Sequence, residues 1–227
     1  MNPKYLLFIL SINLISFSLS SQDVWNPEES MKIKSINQTD ISNDGEYIAY
    51  VVREAIMKDK KSEFLSQIWV YNTGGSQSIQ YTFNEKSSTS PKFSPDGKKI
   101  AFLSSRSGKN QIWIMNTLGG EAKKLTDEKK GVRSIKWSPD GKMISFLKSD
   151  DDTEEEIKSK ENKTDVILVD KNFKYSHIYS YNLEKDTVTQ VTSGNYSVNS
   201  FDYSPNGKKI IFSHQEDTNI NTGFVNT

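Results

Sequence analysis

The chain has 227 residues with Lys+Arg and Asp+Glu both at 29, so its formal net charge is zero and it lacks the basic excess of a nucleic-acid-binding domain. Charged residues at 26% and hydrophobic residues at 34% give the balance of a soluble chain rather than a membrane protein. The absence of cysteine excludes disulfides, thiolate metal sites and a cysteine nucleophile.

The N-terminus reads as a leader. Lys4 is the only charge before Asp23, and Tyr5 to Leu19 is an apolar run broken by Ser11, Asn13, Ser16 and Ser18. That run is short for a membrane span, which needs about 20 residues. Small residues at Ser18 and Ser20 suit a signal peptidase. The expectation is a signal peptide over 1–21 cleaved near Ser20 or Ser21, a linker over 22–32, and a periplasmic or secreted protein with no membrane span after cleavage.

Four segments then repeat: Ile41-Ser-Asn-Asp-Gly-Glu-Tyr-Ile-Ala-Tyr50, Phe93-Ser-Pro-Asp-Gly-Lys-Lys-Ile-Ala-Phe102, Trp137-Ser-Pro-Asp-Gly-Lys-Met-Ile-Ser-Phe146 and Tyr203-Ser-Pro-Asn-Gly-Lys-Lys-Ile-Ile-Phe212. A second set recurs as Gln67-Ile-Trp-Val-Tyr-Asn72, Gln111-Ile-Trp-Ile-Met-Asn116 and His177-Ile-Tyr-Ser-Tyr-Asn182. Gln67 and Asp96, Gln111 and Asp140, and His177 and Asn206 are each 29 positions apart. The complementary intervals vary: 23 from Asp44 to Gln67, 15 from Asp96 to Gln111, and 37 from Asp140 to His177. The shortest repeat is therefore about the length of a four-stranded propeller blade.

Each unit resolves into four strands, A to D. Strand A leads into Ser-Pro-Asp-Gly, strand B is the Lys-Ile-Ala-Phe stretch, strand C is Gln-Ile-Trp-Ile-Met, and strand D is typified by Ala122–Thr126. Ser-Pro-Asp-Gly is a hairpin by its chemistry, since Pro pre-sets φ, Asp accepts a local backbone bond and Gly supplies positive φ. The turns Asn72-Thr-Gly-Gly75 and Asn116-Thr-Leu-Gly-Gly120 are read as further positive-φ positions. Strands B and C are nearly continuous apolar runs, as suits sheets covered on both faces. A β-sandwich also uses short strands, but nothing in that fold would hold one interval constant. The predicted fold class is all-β, a partial β-propeller of four-stranded antiparallel blades over 33–227. Its blades are set at about 33–83, 88–126, 131–192 and, in part, 197–227, so that the chain stops halfway through a fourth.

All the extra length falls between strands B and C, over 52–66 and 149–170, and therefore on one face of the disc. Within the second, Asp150-Asp151-Asp152-Thr-Glu154-Glu155-Glu156 lacks the glycine and terminal glutamate of a calcium loop and reads as a solvated charged loop with a short helix. His177 and His214 lie in predicted strands and read as core or edge residues. There is no Gly-x-Ser-x-Gly elbow, phosphate loop or His-Glu-x-x-His. No catalytic, cofactor-binding or metal-ligating residue is identified, and no cofactor is expected. Three Asn-x-Ser/Thr triplets, at Asn37, Asn162 and Asn195, are of a kind that arises often by chance.

Asp165-Val-Ile-Leu-Val-Asp-Lys-Asn-Phe-Lys-Tyr-Ser-His-Ile-Tyr179 and Ser197–Gln215 resemble the propeller of exported serine peptidases of the prolyl oligopeptidase family, in its acylaminoacyl-peptidase and dipeptidyl-peptidase-like branch. The resemblance covers nearly all of the chain behind the leader. It implies an N-terminal propeller followed by an α/β-hydrolase domain that holds a Ser, Asp and His triad. No residue of this sequence matches that triad, so a propeller portion or gene fragment of a peptidase is implied. The resemblance further implies that the propeller restricts access and favours short peptides, with peptide substrate as the partner. The alternative is a stand-alone propeller acting as a protein-binding adaptor, as in the Tol–Pal system, whose serine-proline-aspartate-glycine turns are shared.

Overall fold

A computed structural model of the chain describes residues 26–58, 61–75, 77–162 and 173–216. The expected leader and its cleavage position lie outside the described residues, as do parts of both insertions. The stretch read as linker contains a short helix, α1 (Pro27–Met31), capped by Asn26, whose side chain accepts from Glu29 N at 2.8 Å.

Fourteen strands follow among the described residues, arranged as antiparallel meanders. The first sheet is β1 (Ser35–Ile41), β2 (Tyr47–Lys58), β3 (Lys61–Asn72) and β4 (Gln77–Gln80), side by side in chain order. The second is β5 (Ser88–Phe93), β6 (Lys99–Ser104), β7 (Gln111–Asn116) and β8 (Lys123–Lys124). The third is β9 (Arg133–Trp137), β10 (Met143–Ser149), β11 (Ser176–Asn182) and β12 (Thr187–Gln190), with α2 (Glu154–Glu161) between β10 and β11. Strands β13 (Ser197–Tyr203) and β14 (Ile210–Gln215) pair as the first half of a fourth. The architecture is a partial β-propeller, three blades and two strands of another among the described residues.

Packing explains the unbroken apolar runs. Successive residues of a strand point to opposite faces of its sheet. In β6, Ile100 and Phe102 turn toward the first blade and join Ala49, Val51, Ile68 and Val70. Ala101 and Leu103 turn the other way and join Ile135, Ile144, Phe146 and Tyr181 of the third. Both faces are dry, so both sets must be apolar. Leu147 and Ile178 repeat the arrangement against Val198 and Phe201 of the fourth. Phe102 and Phe146 are fully buried, each stabilising the fold by about 1.5–3 kcal/mol.

The hairpin between strands A and B does more than turn. In the second blade Ser94 Oγ donates to Asp96 Oδ1 at 2.5 Å and accepts from Lys99 N at 2.9 Å, while Asp96 Oδ1 accepts from Lys98 N at 3.1 Å. The same set recurs at Ser42–Asp44, Ser138–Asp140 and, with an amide oxygen, Ser204–Asn206. These bonds hold the Asp44, Asp96 and Asp140 carboxyls below their ordinary value, the serine hydroxyl contributing most. Gly97 and Gly141 sit at φ +70°, and Gly141 lies against the Pro95 ring of the preceding blade.

Three sequence expectations are corrected. Residues 52–58 and 61–66 are strand rather than loop. Strands β2 and β3 stay paired from Tyr47↔Asn72 out to Lys58↔Lys61, so the insertion is a projecting two-stranded hairpin. Strand D of the second blade shrinks to Lys123–Lys124, because beyond them Leu125 N alone continues the bonding, to Ile112 O. Gly119 and Gly120 have positive φ, but Gly74 and Gly75 do not; there Asn72 Oδ1 accepts from both glycine N–H groups and shapes the turn instead. Trp113 is half-buried, because it lies at the blade's rim beneath Arg106.

Candidate functional site

Strand A begins, strand B ends and strand C begins at one end of every blade, here called the B–C end. Both insertions emerge there. The projecting hairpin exposes Met57 and Phe64, with the Arg53 guanidinium 3.8 Å from the Phe64 ring centre. The second insertion carries α2, started by a capping box in which Thr153 and Glu156 exchange hydrogen bonds. Its acidic residues are occupied by lysines. Asp152 accepts from Lys130 at 2.6 Å and Lys160 at 2.8 Å, which pulls its carboxyl down to about 2. Lys148 reaches Glu128 at 2.7 Å and Asp151 at 3.3 Å, and Lys174 reaches Glu156 at 2.6 Å. The insertion is thus pinned onto the connection between the second and third blades. Among the described residues no group of three or more histidines or carboxylates is arranged to hold a metal.

Strand A carries a second charged feature, which sequence reasoning missed. The residue two places before each turn serine reads Asp40, Lys92, Lys136, Asp202. Asp40 pairs with Lys92 at 2.7 Å and also accepts from Phe93 N at 2.8 Å. Lys136 pairs with Asp202 at 2.7 Å. Trp137 Nε1 donates to Lys92 O at 3.0 Å, and the hydroxyls of Ser145 and Tyr203 share a hydrogen bond at 2.6 Å. Each of these contacts joins neighbouring blades. The Asp-Lys-Lys-Asp order at a fixed position of the repeat was the available signal.

The two histidines flank Tyr196. His177 is buried with its ring edge-on to Tyr196 at 5.4 Å, and the exposed His214 lies 5.0 Å from the same ring. Both rings pack against Tyr196 between the third and fourth blades. A cleft of about 330 Å³ opens between the second and third blades over Ile114, Met115 and Leu183, with Lys99 and Lys123 on its lining.

Residues 64–172 match the family described as the tricorn protease N-terminal β-propeller domain. Over 76 residues the chain is 38% identical to the uncharacterized peptidase YuxL of Bacillus subtilis (strain 168). Over these stretches the chain is similar to a peptidase-associated propeller. The alignment with YuxL takes in 34% of this chain and 11% of that protein. Among solved structures, an acylaminoacyl peptidase in complex with Z-Gly-Gly-Phe-chloromethyl ketone superposes with a TM-score of 0.62 at 21% identity, over 83% of this chain and 29% of that one. TolB from Acinetobacter baumannii superposes with a TM-score of 0.57 at 22% identity, over 82% of this chain and 39% of that one. These two likenesses show the fold. The chain spans well under half the length of the proteins it matches.

Proposed function

We propose that this propeller is the N-terminal portion of an exported serine peptidase that cleaves short peptides, the blades gating access to an α/β-hydrolase domain. The observation that carries the reading is the tricorn-propeller family match over 64–172, which takes in the second insertion. The 38% identity to the YuxL peptidase supports it. The B–C end, built up by a paired hairpin and a pinned helix, is suited to face a second domain. Export rests on the apolar leader ahead of Ser20 and Ser21.

The test is the product of the whole gene. Labelling by a fluorophosphonate serine-hydrolase probe is expected, together with an N-terminus of the secreted protein at about residue 21 or 22. A gene product without a reactive serine sinks the peptidase reading. The second reading, a periplasmic adaptor that binds protein partners, is supported by the TolB likeness over 82% of the chain. It is favoured if the same product resists the probe but captures a periplasmic protein by its propeller.

A further inference from the structure

The cleft between the second and third blades lies at the end of the blades opposite the insertions. Its volume of about 330 Å³ falls at the low end of the range for small-molecule sites. Strand register builds one wall. Lys123 of β8 stands directly across from Ile114 of β7, and Ile114 across from Ala101 of β6, so all three share the face turned to the third blade. Lys99, two residues before Ala101 on the same strand, takes that face too. Leu125 continues it beyond β8. The opposite wall comes from the third blade: Tyr181 and Leu183 at the end of strand C, and Asp186 in the turn that follows. Ile114, Leu125 and Leu183 thus make an apolar floor with charged side chains along both rims.

The charges on these rims are unmatched within the chain. Among the described residues neither Lys99 nor Lys123 has a carboxylate within ion-pair distance, and Glu121, also on the second-blade lining, has no ion pair either. On the third blade the hydroxyl of the buried Tyr181 donates to Asp186 Oδ1. Burial, and after it the hydrogen bond to Asp186, pushes the Tyr181 hydroxyl up to about 12, so it remains a neutral donor that fixes the carboxylate at the rim. Glu184, close by in the same turn, is already engaged by Lys142 at 3.4 Å. Opposite charges on the two blades therefore border one apolar floor without closing on each other. Such a surface is the complement of a ligand that carries both signs of charge on an apolar body.

We propose that this cleft binds a small zwitterion, an apolar α-amino acid, with its side chain on Ile114, Leu125 and Leu183, its carboxylate taken by Lys99 and Lys123, and its ammonium by Asp186. A ligand with a single charge would leave one rim without a partner, and a ligand with no apolar body would leave the floor wet. The site uses neither insertion nor the B–C end. It goes beyond the peptidase reading and stands whether or not the gene product cleaves peptides.

The experiment uses the full 227-residue chain with ¹³C-labelled Ile and Leu methyl groups. Ile114, Leu125 and Leu183 report on the cleft, while Ile68 and Ile178, in the cores of other interfaces, serve as controls. The probes are L-phenylalanine, phenylacetate, which keeps the acid alone, and phenethylamine, which keeps the amine alone. Phenylalanine is expected to shift the three cleft methyls saturably, half-saturating at or below about 1 mM, and to leave the controls in place. Each single-charge probe is expected to bind at least about tenfold more weakly. Lys123→Met keeps the apolar stem and is expected to weaken phenylalanine about fivefold or more without changing phenethylamine. Asp186→Asn keeps an acceptor for Tyr181 and tolerates the left-handed turn position, φ 54°. It is expected to weaken phenylalanine by a similar factor of about five without changing phenylacetate. Equal binding of phenylalanine and either single-charge probe overturns the proposal, as does phenylalanine binding that survives both substitutions. Silence of the cleft methyls up to about 10 mM, or shifts spread equally over the controls, does the same. Unmoved control methyls show that a variant has kept its fold, and the three probes on the unsubstituted chain decide the matter even where a variant has not.

Discussion

Gln111 Oε1 accepts a hydrogen bond from Thr126 Oγ1 at 2.8 Å, and Thr126 Oγ1 in turn accepts from Ile112 N at 2.9 Å. The amide nitrogen of Gln111 donates onward to Glu128 O at 2.8 Å. Both side chains are buried, so the clasp closes strand C onto the chain leaving strand D with every polar atom paired. Gln67 and Thr82 repeat it in the first blade, at 2.5 Å. In the third blade His177 replaces the glutamine, and its Nδ1 stands 3.5 Å from Thr192 Oγ1. Thr126→Val keeps the shape and removes the hydroxyl, stranding Ile112 N and leaving Gln111 Oε1 with Glu128 N alone. A loss of about 1–3 kcal/mol in urea unfolding is expected. Thr192→Val is expected to cost less, since its histidine partner is held more weakly. Equal losses would mean that the clasp does not depend on glutamine.

Glycines at positive φ separate strain from crowding. Gly45, at φ +73°, has nothing within 4 Å of an added Cβ, whereas Gly131, at φ +76°, would bring that carbon to 3.0 Å from the backbone oxygen of Asn110. That oxygen also accepts from Val132 N at 2.8 Å, so it is not free to move. Gly45→Ala is expected to cost about 1–2 kcal/mol from backbone strain alone. Gly131→Ala should cost clearly more, read as a lower denaturation midpoint at unchanged m-value. Similar midpoints for the two variants would refute the crowding argument.

The blade pattern was legible because each apolar strand is buried on both faces; Ile100, Ala101, Phe102 and Leu103 declare this as an unbroken run. The turn chemistry of Ser94 and Asp96 was equally local. The clasp was present in the sequence as a constant 15-residue spacing, Gln67 to Thr82, Gln111 to Thr126 and His177 to Thr192, but polar residues in a repeat do not announce that they are buried. The projecting hairpin was not legible. Arg53-Glu54-Ala55-Ile56-Met57-Lys58 suits a helix or a loop as well as a strand, and its conformation is imposed by register continued from the blade. The surroundings of Arg106 were hidden for a further reason: Asn84, Ser88, Ser104 and Trp113 come from separate strands and connections, and only the packed sheet brings them to one guanidinium.

Trp113 tests the rim of the second blade. Its ring packs against the core shared with the first blade, yet its Nε1 is buried without a hydrogen-bond partner among the described residues. Trp113→Phe removes the unpaired N–H and keeps most of the apolar contact, so a change of less than about 1.5 kcal/mol is expected. Trp113→Ala also loses the ring beneath Arg106 and is expected to cost about 2–4 kcal/mol, at the lower part of the range for a large aromatic because the site is only half-buried. Thermal or urea unfolding of the two variants distinguishes them. A Phe variant as damaged as the Ala variant would show that the indole nitrogen, not the ring, carries the stability.

The docking of α2 sets an acid limit. Asp152 is held down to about 2 by its hydrogen bonds from Lys130 and then Lys160, against an ordinary value of 3.8. A carboxyl whose folded value is depressed contributes stability that is complete above its unfolded value and lost as pH falls through the folded one. The contribution of Asp152 is therefore intact at pH 5 and above, and drains away between about 4 and 2. Asp44, Asp96 and Asp140, also depressed, fade over acid pH in the same direction. Asp152→Asn removes one ion-paired carboxylate and is expected to flatten the acid limb while leaving the neutral plateau nearly unmoved, since exposed pairs are weak. Because Lys130 and Lys160 face solvent, raising salt to about 0.5 M should reproduce much of that flattening in the unmodified chain. Carbon-13 titration of the Asp152 carboxyl measures its midpoint directly; a value near 3.8 would mean that the two lysines do not hold it, and that α2 is pinned by Glu156 and Lys174 instead.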